Sequence, residues 1–193
     1  MIEFVALNRS HTKARENFDC GEPILNEYLQ RYAGQNVRRR KSLCFVLSDE
    51  NVIYAYATIL LVGSDETLKE YFQHRDRDVF FALIGRLAVD RRYQGQGYGK
   101  DLLIHIANFV EKNWPVKALL VDAKNNTVAS FYEKLGFSRI VPEGLRLTAP
   151  FPPRHLYSKI DTRLLFANIE TSNNRKPRRV PIGTSTEVFS SSS

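Results

Sequence analysis

The feature that most restricts this chain is a nine-residue turn, Arg92-Tyr93-Gln94-Gly95-Gln96-Gly97-Tyr98-Gly99-Lys100, set between an apolar run and an amphipathic one. Phe80 to Val89 reads as a central strand interrupted by Gly85 and Arg86, and a glycine inside a strand marks a bulge or a close backbone approach. From Gly97 to about Asn113, Leu102, Leu103, Ile106, Ala107 and Val110 recur at helical spacing, and Pro115 stops the element. Alternate glycines let the backbone curl with its N–H groups inward, and the helix N-terminus adds about half a positive charge. A pyrophosphate fits that field, with Arg92 and Lys100 placed to add charge at its rim.

Taken alone, the glycines fit a plain chain reversal equally well. A Rossmann site wants them after the first strand with an acid about 20 residues on, and a phosphate-binding ATPase loop wants Gly-Lys followed by Ser or Thr. Here Asp101 follows Gly99-Lys100 and several elements precede the turn, so both nucleotide readings weaken.

Around the turn the pattern is that of one α/β or α+β layer. Ile2 to Leu7 alternates as a strand, and Asp19 to Pro23 reads as a helix entry, with a helix to about Ala33 burying Ile24, Leu25, Tyr28, Leu29 and Tyr32 on one face. Ser42 to Leu47 and Val52 to Leu61 form a strand pair across the polar turn at residues 48–51. Leu68 to Asp78 reads as a helix. Ala118 to Ala123 is a second buried strand, Thr127 to Leu135 a short helix ending at Gly136, and Leu156 to Ile160 a last strand. Strand, glycine turn, helix and strand make a crossover unit.

Composition narrows the function classes. Of 193 residues 43% are hydrophobic, enough for one well-buried domain, and the apolar runs are far shorter than the roughly 20 residues of a membrane span. No membrane association is expected. The N-terminus lacks a basic n-region, so a cytoplasmic location is expected. Cys20 and Cys44 are expected to be reduced and structural, and no Cys/His spacing resembles a metal site. His11, His74, His105 and His155 are scattered, and none looks catalytic; Trp114 reads as a helix-end core anchor. The net charge of +7 favours polyanionic partners. Residues 161–193 hold five basic and three acidic side chains, so the body keeps +5 without them.

Leu87-Ala88-Val89-Asp90-Arg91-Arg92-Tyr93-Gln94-Gly95-Gln96-Gly97-Tyr98-Gly99 resembles the acetyl-CoA signature of the GNAT superfamily. Asn125-x-x-Val128-x-x-Phe131-Tyr132-Glu133-Lys134-Leu135-Gly136-Phe137 resembles the second conserved block of that family. The stretch Phe18 to Leu29 and Val121-Asp122-Ala123 are similar to the GNAT toxins of toxin-antitoxin modules. The resemblance, over about Ile2 to Ile160, implies a twisted mixed sheet of six to seven strands covered by about four helices. It also implies acetyl-CoA as cofactor, with Leu87, Ala88 and Val89 along the pantetheine arm and the turn amides of Gln94 to Lys100 on the pyrophosphate. Asn125 joins that cofactor set through the second block. Residues 1–160 are then the acetyltransferase domain, and 161–193 a C-terminal extension, mostly a disordered tail poor in apolar residues. Such toxins acetylate the α-amino group of aminoacyl-tRNA and are restrained by a small antitoxin.

Acetyl transfer needs a neutral amine, a place for the developing oxyanion and a proton for the thiolate. Tyr132, which the resemblance puts beside the sulfur, suits the last role, because a phenol with a pKa of about 10 is protonated near neutrality. By position alone it also suits a core tyrosine packed with Phe131. The strand Phe80 to Val89 holds no Glu, Asp or His to act as general base, and a backbone N–H on it is the expected oxyanion donor. Supplying a neutral lysine side chain of pKa about 10.4 costs about 4 kcal/mol near neutrality, whereas an α-amine of pKa about 7.7 to 8.0 is already partly neutral. Arg38, Arg39, Arg40 and Lys41, following Arg31, form the densest basic stretch of the body, and with Arg91 they suit an RNA backbone. The same run also suits a solvated helix end.

The leading reading is a toxin-type homodimeric enzyme that acetylates charged tRNA. The alternatives are an N-acetyltransferase for protein N-termini or small amines, and a non-catalytic module that senses acyl-CoA or binds nucleic acid.

Overall fold

The computed structural model describes residues 1–49, 51–73 and 79–151. Seven strands form one sheet in the order β1-β2-β3-β4-β5-β7-β6. They are β1 (Glu3–Ala6), β2 (Leu43–Ser48), β3 (Ile53–Gly63), β4 (Phe80–Val89), β5 (Ala118–Asp122), β6 (Ser138–Arg139) and β7 (Arg146–Pro150). β1 to β4 pair antiparallel, β4 and β5 are parallel, and β5, β7 and β6 are antiparallel again. The expected mixed sheet is therefore present, with more antiparallel than parallel pairing.

The helical segments are α1 (Thr12–Glu16), α2 (Pro23–Glu27), α3 (Ala33–Arg38), α4 (Glu66–Tyr71), α5 (Tyr98–Asn113) and α6 (Asn126–Lys134). α2 and α3 are joined end to end through a π-helical segment, Tyr28–Tyr32, so the rod runs past the expected stop at Ala33 to Arg38. That segment also moves the buried stripe. A π turn closes i to i+5, and the Ala33 amide bonds to the Tyr28 carbonyl, bringing residue 33 back over residue 28. Tyr28, Leu29 and Ala33 are buried, whereas Ile24 is 78% exposed and Tyr32 faces solvent, against the expectation that both are core.

One cluster under α2 and α3 joins Phe18, Tyr28, Leu29, Val46 and Tyr56, and a second under α4 joins Leu68, Phe81, Leu120 and Ile140. α5 buries Leu102, Leu103, Ile106, Ala107 and Val110, as its spacing requires, and is the crossover from β4 to β5. Trp114 caps its C-terminus, half-buried with its ring edge-on to Phe109. Cys20 and Cys44 are free buried thiols, and burial pushes Cys44 up to about 12.

The expected strand Leu156 to Ile160 lies outside the described residues, as do His74, His155 and the extension 161–193. Within them β7 and the two-residue β6 complete the sheet; neither stands out in the sequence, since β7 ends on proline and β6 is too short to show a period. No helix among the described residues is long and apolar enough to cross a membrane.

The β4/β5 ladder is short. It holds Ala82, Leu83 and Ile84 against Leu119, Leu120 and Val121 and then stops, although β4 continues to Val89. Beyond Ile84, β4 pairs only with β3, and Gly85 is the extra residue of a bulge between the pairs Thr58–Arg86 and Ile59–Ile84. An open edge of five residues, about 16 Å at strand rise, thus leads from the splay to the glycine turn.

Candidate active site

β4 gives way at its end to Asp90, whose carboxylate is wholly buried. It accepts from the amides of Asp19 and Arg92 and from the Arg92 guanidinium. Burial pushes this acid up, but the Arg92 side chain and the two amides outweigh it and hold the group below the ordinary carboxylate range. Asp19 in turn accepts from Gly21 N and Asn26 Nδ2 and pairs with Arg91 at 3.0 Å. The Gln94 side-chain amide donates to the carbonyls of Cys20 and Val89, both at 3.0 Å, and that of Gln96 donates to the Arg92 carbonyl. The base of the turn is therefore clamped to the loop that enters α2. The side chains of Arg92 and Gln94 do this clamping and that of Gln96 braces the turn internally, which leaves the main chain as the ligand-facing part.

Above the clamp, Gly95 (φ +76°) and Gly97 (φ +93°) are left-handed, and a Cβ on either would meet nothing within 4 Å. Gly97 caps α5. Among the described residues, the amides of Gly95, Gln96, Gly97, Tyr98 and Gly99 donate to no protein acceptor, while Lys100 and Asp101 bond back to the Gly97 carbonyl. Unpaired donors at the start of a sixteen-residue helix make an anion cradle. Gly99 packs closely, since a Cβ there would stand 3.3 Å from Val89 Cγ2. Lys100 is half-buried in the first helical turn. The main chain thus suits a pyrophosphate, and the open edge Leu87-Ala88-Val89 suits an extended amide-bearing arm.

Asn125 is the N-cap of α6, accepting from the Val128 amide at 2.9 Å. Tyr132, on the buried face of α6, has its ring edge-on to Phe131 and Phe137. Its hydroxyl makes no hydrogen bond among the described residues, and burial pushes it up to about 12, so it is a protonated donor at any physiological pH.

The basic stretch is exposed: Arg38 ends α3, and Arg39, Arg40 (φ +56°) and Lys41 carry the chain into β2. Two basic residues that the sequence reading passed over belong with this side of the molecule. The Arg15 and Arg38 Nη1 atoms converge on Gly34, where a Cβ would lie 2.9 Å from the first and 3.5 Å from the second. Arg86 lays its guanidinium 3.7 Å over the ring of Tyr28. Asp90 was also missed; its position directly before Arg91 and Arg92, where a strand ends, was the available signal. No group of three or more His, Cys, Asp or Glu among the described residues is arranged to hold a metal.

A splayed parallel pair, a glycine cradle and a crossover helix define an acyl-CoA-type acetyltransferase. Residues 40–139 match the family model of the acetyltransferase (GNAT) domain, and the chain belongs to that family. It is accordingly an acetyl-CoA-dependent N-acetyltransferase, which removes the non-catalytic reading. It is 32% identical over 146 residues to the tRNA-acetylating toxin of Mycobacterium tuberculosis, covering 72% of this chain and 82% of that protein. Among solved structures it is similar to a tyrosine-to-phenylalanine mutant of the AtaT toxin bound to the C-terminus of the antitoxin AtaR and acetyl-CoA. That match has a TM-score of 0.67 and 26% identity, covering 86% of this chain and 98% of that one. A mutant of KacT shares the fold at a TM-score of 0.68 and 23% identity, covering 80% and 96%.

Proposed function

We propose that the enzyme acetylates the α-amino group of aminoacyl-tRNA and so arrests translation, acting in the cytoplasm as a homodimer held in check by a small antitoxin. The observation that carries the reading is the makeup of the acceptor side. β4 presents no carboxylate or imidazole beside the open edge, which favours an acceptor whose amine is already partly neutral. The α-amine of an aminoacyl ester meets that need at lower cost than a lysine side chain. The exposed cations Arg38, Arg39, Arg40 and Lys41, together with Arg91, supply phosphate contacts that give affinity without sequence readout. The similarity to the mycobacterial tRNA-acetylating toxin supports the same substrate class.

The coenzyme supplies an acetyl group activated as a thioester. In this reading the amides from Gly95 to Gly99 hold its pyrophosphate, with Arg92, Gln94, Gln96 and Lys100 shaping the turn and Asn125 fixing the start of α6. Leu87, Ala88 and Val89 would orient the arm, and a β4 amide near the bulge would serve as the oxyanion donor. Tyr132 would supply the proton that the departing thiolate needs. The test is transfer of labelled acetyl from acetyl-CoA to bulk charged tRNA, deacylated tRNA, peptides and polyamines. Label on charged tRNA alone supports the assignment; label on peptides or polyamines with none on charged tRNA refutes it.

A further inference from the structure

Arg86 is the only charged residue of β4, placed next to the bulged Gly85 where the open edge begins. Its guanidinium lies over Tyr28, whose hydroxyl accepts from Asn36 Nδ2 at 3.1 Å, so the cation is held in place by the rod that covers the sheet. Nothing compensates it: among the described residues Arg86 has no carboxylate partner and makes no hydrogen bond. The other titratable groups around it are the Cys44 thiol on β2 and the Tyr56 phenol on β3, both kept neutral by burial, with the cation of Arg15 from α1 acting on Cys44 as well. Arg86 is half-buried, Gly85 is exposed, and the half-buried Leu60 and Leu83 flank the bulge. A fixed positive charge therefore stands beside the bulge, at the end of the open edge.

We propose that Arg86 is an electrostatic positioning residue that lowers the proton affinity of the acceptor amine, doing by like-charge repulsion what a general base does elsewhere. The inference rests on the substrate reading above. A neighbouring cation disfavours the protonated amine and shifts its titration downward. The field is pre-organised, because the cation–π contact fixes the guanidinium before the acceptor arrives. The ammonium loses one proton to bulk water on binding. The N–C bond then forms as the C–S bond breaks, and the second amine proton balances the one taken by the thiolate.

The test is the pH dependence of the single-turnover acetyl-transfer rate at saturating enzyme and acetyl-CoA, which reports the bound acceptor rather than the free one. Two acceptors are used, charged tRNA and an amino-acid ethyl ester. For the unaltered enzyme, the acid limb is expected below the acceptor's own solution pKa. Arg86→Gln should move that limb upward by about 0.5 to 1 pH unit, costing several-fold at pH 6.5 and little at pH 8.5, and Arg86→Lys should restore it. The inference is overturned if the unaltered limb sits at or above the solution pKa, a comparison that needs no variant. It is equally overturned if Arg86→Gln slows transfer by one factor at every pH, the mark of a phosphate contact. Transfer to the ester with none to tRNA sinks the substrate reading while still testing Arg86; transfer to neither acceptor sinks both.

Discussion

Arg92 holds the fully buried carboxylate of Asp90 through two hydrogen bonds, Nε to Oδ1 and Nη2 to Oδ2, each 2.8 Å long. The pair stands at the corner where β4 gives way to the cofactor turn, and the Asp19 amide ties the same carboxylate to the loop before α2. Asp90→Ala should therefore cost stability and cofactor affinity together. The arginine is half exposed and can rehydrate, so the expected loss is about 2–3 kcal/mol rather than that of a fully buried pair. Chemical denaturation with and without acetyl-CoA measures both effects.

The same carboxylate sets an acid limit. Its folded pKa lies below the unfolded value, so its contribution is complete above about pH 5 and is lost as pH falls through the unfolded and then the folded pKa. Asp90→Asn should flatten the stability profile below about pH 4.5, read from urea midpoints against pH. A variant as acid-sensitive as the unaltered protein would assign that loss to other groups.

Tyr132 is a buried residue whose hydroxyl makes no hydrogen bond among the described residues, so removing it takes away no bond there. Tyr132→Phe should leave stability within about 0.5 kcal/mol and lower kcat by about a hundredfold or more, with acetyl-CoA affinity unchanged. Because burial holds this phenol at about 12, no alkaline fall in rate should appear up to pH 9. Calorimetry and single-turnover rates check the set.

Gly97 lies at φ +93° with open space where a side chain would start. Gly97→Ala adds about 1–2 kcal/mol of backbone strain and puts a methyl group on the surface of the cradle. Acetyl-CoA affinity should fall on the order of tenfold or more.

Replacing Arg38, Arg39, Arg40 and Lys41 by glutamine removes only exposed cations. The KM for charged tRNA should rise and its salt dependence flatten, by about 0.7 to 0.9 in the log–log slope for each lost phosphate contact. Rates on a small ester should not change.

The parts legible in the sequence were those in which one local rule decides the outcome. β4 shows as an apolar run interrupted at its bulge by Gly85 and Arg86, and α5 as an apolar stripe bounded by Gly97 and Pro115. What escaped was set by contacts between distant segments. The π-helical register that turns Ile24 outward depends on how Tyr28 and Ala33 meet the sheet, and a periodicity of 3.6 does not encode it. β6 exists through its pairing with β7. Asp90 draws its importance from Asp19, 71 residues earlier, and Arg86 from Tyr28, so neither stands out in a linear reading.

The parallel ladder that ends after three residue pairs leaves the sheet without its own seam along five positions of β4. A ligand lying there would act as a missing piece of architecture, and its occupancy would feed directly into the lifetime of the fold, adding about 2.7 kcal/mol at a hundredfold excess over Kd. The abundance of such an enzyme would then track the cell's supply of activated acetate, with starvation for it hastening the protein's own turnover.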